Sequence, residues 1–81
     1  MKRVFVGNLD YTTNHAQFKE LFDKFGSILS ARVVTDDKGR SKGFGFIDFE
    51  NEDDANKAVS EMNGYSHLGS ALTVSIAKSQ N

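Results

Sequence analysis

Two short segments carry the side chains with the most chemical potential. Residues 42–49, Lys-Gly-Phe-Gly-Phe-Ile-Asp-Phe, place phenylalanines at 44, 46 and 49, and Val4-Phe5-Val6 places another between two β-branched residues. Side chains alternate between the faces of a strand, so Lys42, Phe44, Phe46 and Asp48 share one face, and Gly45, Ile47 and Phe49 share the other. The same count sets Arg3, Phe5 and Gly7 opposite Val4 and Val6. Rings that share a face with cations can stack flat groups and hold anions beside them.

Other chemistries lack their residues. With no Cys, disulfides, thiolate zinc sites and a cysteine nucleophile are all excluded. His15 and His67 lie far apart without metal-ligand spacing, so no metal site is expected. Gly43-Phe44-Gly45 lacks the third glycine of a dinucleotide fingerprint, because position 48 is Asp, and no G-x-x-x-x-G-K-[ST] loop occurs. No Ser/His/Asp set has a supporting context. The residues predict no cofactor and no catalysis; a small ferredoxin-like hydrolase would need a cation after the first strand, where GNLDYTTNH supplies none.

The elements that position these residues follow from apolar spacing. Residues 3–9 read as a strand. Thr13 or Asn14 can cap a helix bearing Phe18, Leu21, Phe22 and Phe25 on one face, ended by Gly26. Residues 28–35 are a β-branched second strand, 36–41 (DDKGRS) a loop and 42–49 the third strand. Asn51, followed by Glu52, Asp53 and Asp54, starts a second helix with Ala55, Ala58, Val59 and Met62 buried, stopped at Asn63-Gly64. After a connection containing Gly69, residues 72–77 alternate as a fourth strand. The order β-α-β-β-α-β predicts an α+β, ferredoxin-like split βαβ fold: a four-stranded antiparallel sheet with both helices on one face.

Eighty-one residues are one domain's worth, and 38% hydrophobic with 26% charged is globular. No stretch approaches a membrane span or a signal-peptide core, which predicts a soluble, intracellular protein, nuclear, cytoplasmic or organellar, with no membrane partner. The net charge of −1 hides a +2 segment at 32–42 and a −5 segment at 43–61. In the proposed fold the strands of Phe5 and of Phe44 and Phe46 are central neighbours. The uncovered face is therefore an aromatic platform rimmed by Arg3, Arg32, Lys42 and Lys78, the combination that suits single-stranded nucleic acid. Asp48 on that face either orients a base or cation or is simply solvated. Tyr11 and Tyr65 read as packing residues, and His67 as a loop residue with base stacking as the alternative.

KGFGFIDF at 42–49 resembles the octamer of the RNA recognition motif (RRM) family at every position except Ile47 for Val, and VFVGNL at 4–9 resembles its partner hexamer. NLD after the first strand, the short DDKGRSKGFGF loop and KAVSEMNG resemble modules of poly(A)-binding proteins. By this resemblance Phe5 and Phe46 each stack a base, Phe44 packs against the sugars between them, and Lys42 meets a phosphate. Arg3, Arg32, Thr73, Ser75, Ala77 and Lys78 border the platform. His67 and Ser70 depart from the family pattern. The implied function is non-catalytic binding of short single-stranded RNA, with single-stranded DNA as the alternative strand, in RNA processing, stability or translation. The rival reading is a protein-interaction module that holds a protein partner on the helical face. A single RRM domain over 1–81, a monomeric module excised from a longer protein, is the simplest organisation.

Overall fold

Alternating β-branched segments pair where their apolar faces can share helices. A computed structural model of the chain describes residues 2–77. In chain order these form β1 (Lys2–Gly7), α1 (His15–Phe22) continued by a 3-10 turn (Asp23–Phe25), β2 (Ile28–Thr35), β3 (Ser41–Phe49), α2 (Glu52–Met62), β4 (Ser66–His67), β5 (Ser70–Ala71) and β6 (Thr73–Ile76). The main sheet is antiparallel in the order β2-β3-β1-β6. Each helix thus joins two strands with a third lying between them, the ferredoxin-like split βαβ arrangement of an α+β domain. Val4, Val6, Phe18, Phe22, Ile47, Phe49, Ala55, Ala58, Met62, Leu72 and Val74 are all buried and form the core.

The helix starts use different chemistry. Asn14 Oδ1 accepts the Gln17 N–H at 2.8 Å while Gln17 Oε1 accepts the Asn14 N–H at 3.1 Å, a reciprocal capping box. Asn51 instead donates Nδ2 to Asp54 Oδ2 at 3.2 Å, leaving the three carboxylates of the first turn to complement the helix dipole. At the other end of α2, Asn63 Oδ1 accepts the Val74 N–H at 3.1 Å and ties the helix to β6.

The connection around Gly69 is a second, two-stranded sheet, β4 paired with β5. Leu68 and Gly69, with φ of 53° and 87°, make its turn, the mirror-image geometry that suits a tight hairpin. Two expectations need correction. Tyr11 is 73% exposed and Tyr65 43% exposed, so neither is a packing residue. Around Tyr11 the buried positions are taken by Leu9 and Thr13, which leaves its ring outside the core. His67 Nε2 lies 3.1 Å from Thr13 Oγ1, which engages its ring with the β1–α1 turn. His15 is exposed, as expected of a first-turn residue, and its Nδ1 accepts the Val33 N–H at 3.1 Å, a donor on the outer edge of the sheet.

Candidate nucleic-acid interface

The strand register turns the uncovered face into rows. One row crosses all four strands, Arg32–Phe46–Phe5–Ser75, each residue directly opposite the next. Toward the β2–β3 loop, Phe44 faces Gly7, which faces Thr73. In the other direction Ser30 faces Asp48, which faces Arg3, whose carbonyl accepts the Ala77 N–H at 2.8 Å. Phe5, Phe44, Phe46, Arg32, Thr73, Ser75, Ala77 and Arg3 are therefore brought together as the sequence implied. Lys78 lies outside the described residues.

The three rings form one cluster. Centroids lie 5.8 Å apart for Phe5–Phe44, 5.7 Å for Phe5–Phe46 and 6.2 Å for Phe44–Phe46, the last nearly perpendicular at 88°. All three rings are half-buried, so each keeps part of its surface for a ligand. Gly7 makes room for this: a methyl group there would sit 2.9 Å from Phe5 Cε2, because the Phe5 ring leans along its own strand across the glycine.

The rim cations are not equivalent. Arg3 donates from Nε to Asp48 Oδ1 at 2.8 Å and from Nη2 to Oδ2 at 3.2 Å, and Ser30 Oγ donates to Oδ2 at 3.0 Å. Asp48 is only 8% exposed, and the Arg3 hydrogen bond, with help from Ser30, holds its carboxyl below the usual aspartate range against the opposing effect of burial. The same pairing raises the Arg3 guanidinium above its usual value. Of the two readings left open for Asp48, cation orientation is the one seen: Arg3 Cζ is held 5.7 Å from the Phe46 centroid. Arg3 is thus an ion-paired cation on the platform.

Arg32, beside Phe46, forms no ion pair among the described residues. Lys42 is exposed, but the alternation that sets it beside Phe44 passes through Gly43, whose φ is 85°. There the β2–β3 register slips from Val33↔Gly45 to Thr35↔Ser41. Lys42 therefore belongs to the loop end of the strand, where its charge, after the Arg40 and Lys38 backbone N–H groups and the Arg40 side chain, helps hold Asp36 below the usual carboxylate range. Sequence reasoning passed over Ser30 and the Arg3–Asp48 pairing, which only the cross-strand register brings together.

A family model described as RNA recognition motif matches residues 4–73. The chain belongs to that family. Members of the family are binding domains without catalytic activity. The domain is 38% identical over 77 residues, 94% of its length, to the Arabidopsis thaliana protein named RNA-binding protein CP31B, chloroplastic, of which it spans 27%. Its fold matches the RNA binding protein PG1 with a TM-score of 0.94 at 36% identity, covering 100% of this chain and 99% of that one. It also matches the Rna15 RRM with bound RNA (GU) at a TM-score of 0.88 and 26% identity, over 98% of this chain and 85% of that one. Among the described residues, no helix is long and apolar enough to cross a membrane and no group of His, Asp or Glu could hold a metal ion.

Proposed function

We propose that this RRM binds short single-stranded RNA across the open face of its sheet. Bases stack on Phe5 and Phe46, Phe44 packs against the sugars between them, and Arg32 and Lys42 meet phosphates. Thr73, Ser75 and Ala77 on β6 border the bases and offer hydroxyl and backbone groups to their edges. Arg3 covers part of Phe46 with its charge shared by Asp48. The observation that carries this reading is the cluster of three half-exposed rings on the two central strands, for which a sheet without a stacking ligand has no use. The family, and relatives named for RNA binding, point the same way.

Stacking is worth roughly 1–3 kcal/mol per base, so two bases and a few cation contacts give affinity on the order of micromolar once the strand has been ordered. One RRM used as a module gains from linkage to further copies, in RNA processing, stability or translation. The test is fluorescence anisotropy against an array of short RNAs and matching DNAs, repeated with Phe46→Ala and Phe5→Ala. Each variant should weaken RNA binding at least about tenfold while remaining folded by circular dichroism. Folded variants that bind as tightly as the parent would refute the platform.

A further inference from the structure

Charge is uneven along the strands. At the start of β1 and the end of β3 lie Asp48, Glu50, Glu52, Asp53 and Asp54 against Lys2 and Arg3. Both cations are already paired, Lys2 with Glu52 at 2.8 Å and Arg3 with Asp48. At the opposite end Lys38, Arg40 and Lys42 balance Asp10, Asp36 and Asp37. Asp10 is engaged by the Thr12 N–H and hydroxyl, and Asp36 by the Lys38 and Arg40 N–H groups and Arg40 Nε. Among the described residues the first end is thus net negative and the second is balanced, so a phosphodiester strand longer than the platform meets less repulsion at the second.

At that second end stands Tyr11. It is the most exposed of the large hydrophobic residues, and its Cε1 lies 3.1 Å from where a Gly43 methyl would be, so the ring rests against the residue that precedes Phe44. Tyr11, Asp36, Gly39, Arg40 and Ser41 line an open hollow of about 430 Å³. Asp36 anchors Arg40 Nε at 3.2 Å and so fixes the guanidinium on the wall of that hollow. An exposed ring seated on backbone beside an anchored, planar cation is suited to a base.

We propose that Tyr11 is a further base-stacking residue, with Arg40 across the hollow, for the nucleotide that leaves the platform past Phe44. This rests on the RNA-binding reading above and extends the site to both flanking loops. The test uses the tightest RNA nonamer found by the array and its four-nucleotide core. Tyr11→Ala should weaken nonamer binding about five- to tenfold and core binding less than about twofold, and Tyr11→Phe should restore the nonamer. The chain has no Trp, so Tyr11→Trp supplies a single fluorophore whose emission should be quenched by the nonamer. Unchanged nonamer affinity in Tyr11→Ala, or unquenched emission, overturns the proposal. If Phe46→Ala still weakens binding in that case, the platform stands without the extension. Failure of the parent protein to bind any RNA would remove both.

Discussion

Replacing Asp48 with Asn should make RNA binding more dependent on salt. In the parent protein the Arg3 charge is shared with a carboxylate through two hydrogen bonds, so of the three described cations proposed to border the platform, Arg32 and Lys42 are the two without an ion pair. Two contacts to a single strand give a slope of log K against log salt of about −1.4, and freeing Arg3 adds a third, for about −2.1. Between about 50 and 200 mM salt the parent should lose affinity roughly sevenfold and the variant roughly eighteenfold. A contribution from Lys78 would add equally to both proteins, so the difference of about 0.7 is the informative quantity. Asn keeps the size of the side chain and an acceptor for Ser30, and with Arg3 half-exposed the loss of the pair should lower stability only slightly. Anisotropy titrations at four salt concentrations, with urea denaturation to verify the fold, measure both quantities. Parallel slopes would show that Arg3 never faces a phosphate.

The Arg3–Asp48 pair also carries a pH signature. Because the folded state depresses the Asp48 pKa, its contribution is present at neutral pH and is lost as pH falls below the ordinary aspartate value of about 3.9 and through the folded one. Urea midpoints taken from pH 5 to pH 2 should therefore fall further for the parent than for Asp48→Asn, and equal losses would argue against the pair. Gly7→Ala should displace the Phe5 ring, since the new methyl would lie 2.9 Å from Cε2 and 3.1 Å from Cζ. RNA affinity should drop about as far as in Phe5→Ala, with stability changed by less than about 1.5 kcal/mol, and parent-like affinity would show that the ring's tilt is immaterial. Gly45→Ala should cost about 2 kcal/mol or more in thermal or urea denaturation, because its methyl would meet the Arg32 carbonyl oxygen at 2.5 Å and Phe18 at 2.9 Å; a cost below about 0.5 kcal/mol would refute that close approach.

The order of elements and the face taken by the large residues of β1 and β3 were legible because period and parity are local properties of the chain. Val4, Val6, Ile47 and Phe49 are buried and Phe5, Phe44 and Phe46 are on the other face, as alternation requires. Parity loses its hold where the ladder slips. The shifts between Ile28 and Ser30 and between Val33 and Thr35 reset the count, and the second leaves Lys42 with the loop instead of the platform row. Partner choice was illegible for a different reason. Arg3 and Asp48 are 45 residues apart, and both were placed on the open face, but their pairing depends on the β1–β3 register. The β4–β5 hairpin escaped because two-residue strands show no period, and Leu is an uncommon residue for the left-handed backbone found at Leu68.

The glycines of β3 show why so short a motif identifies the whole domain. Gly45 sits on the core side, where Phe18 of α1 and the β2 backbone come too close for any side chain, so glycine there is what lets Phe18 rest against the sheet. Gly43 takes a positive φ, accepts the Leu9 N–H on its carbonyl oxygen at 2.8 Å and supports Tyr11. Between and after them Phe44 and Phe46 are free to be large, because among the described residues no element covers their face. The alternation of glycine and phenylalanine therefore meets two demands at once: close approach of helix to sheet on one side and a stacking surface on the other. A strand that satisfied only the ligand would tolerate larger residues at 43 and 45, and a strand that satisfied only the core would not need rings at 44 and 46.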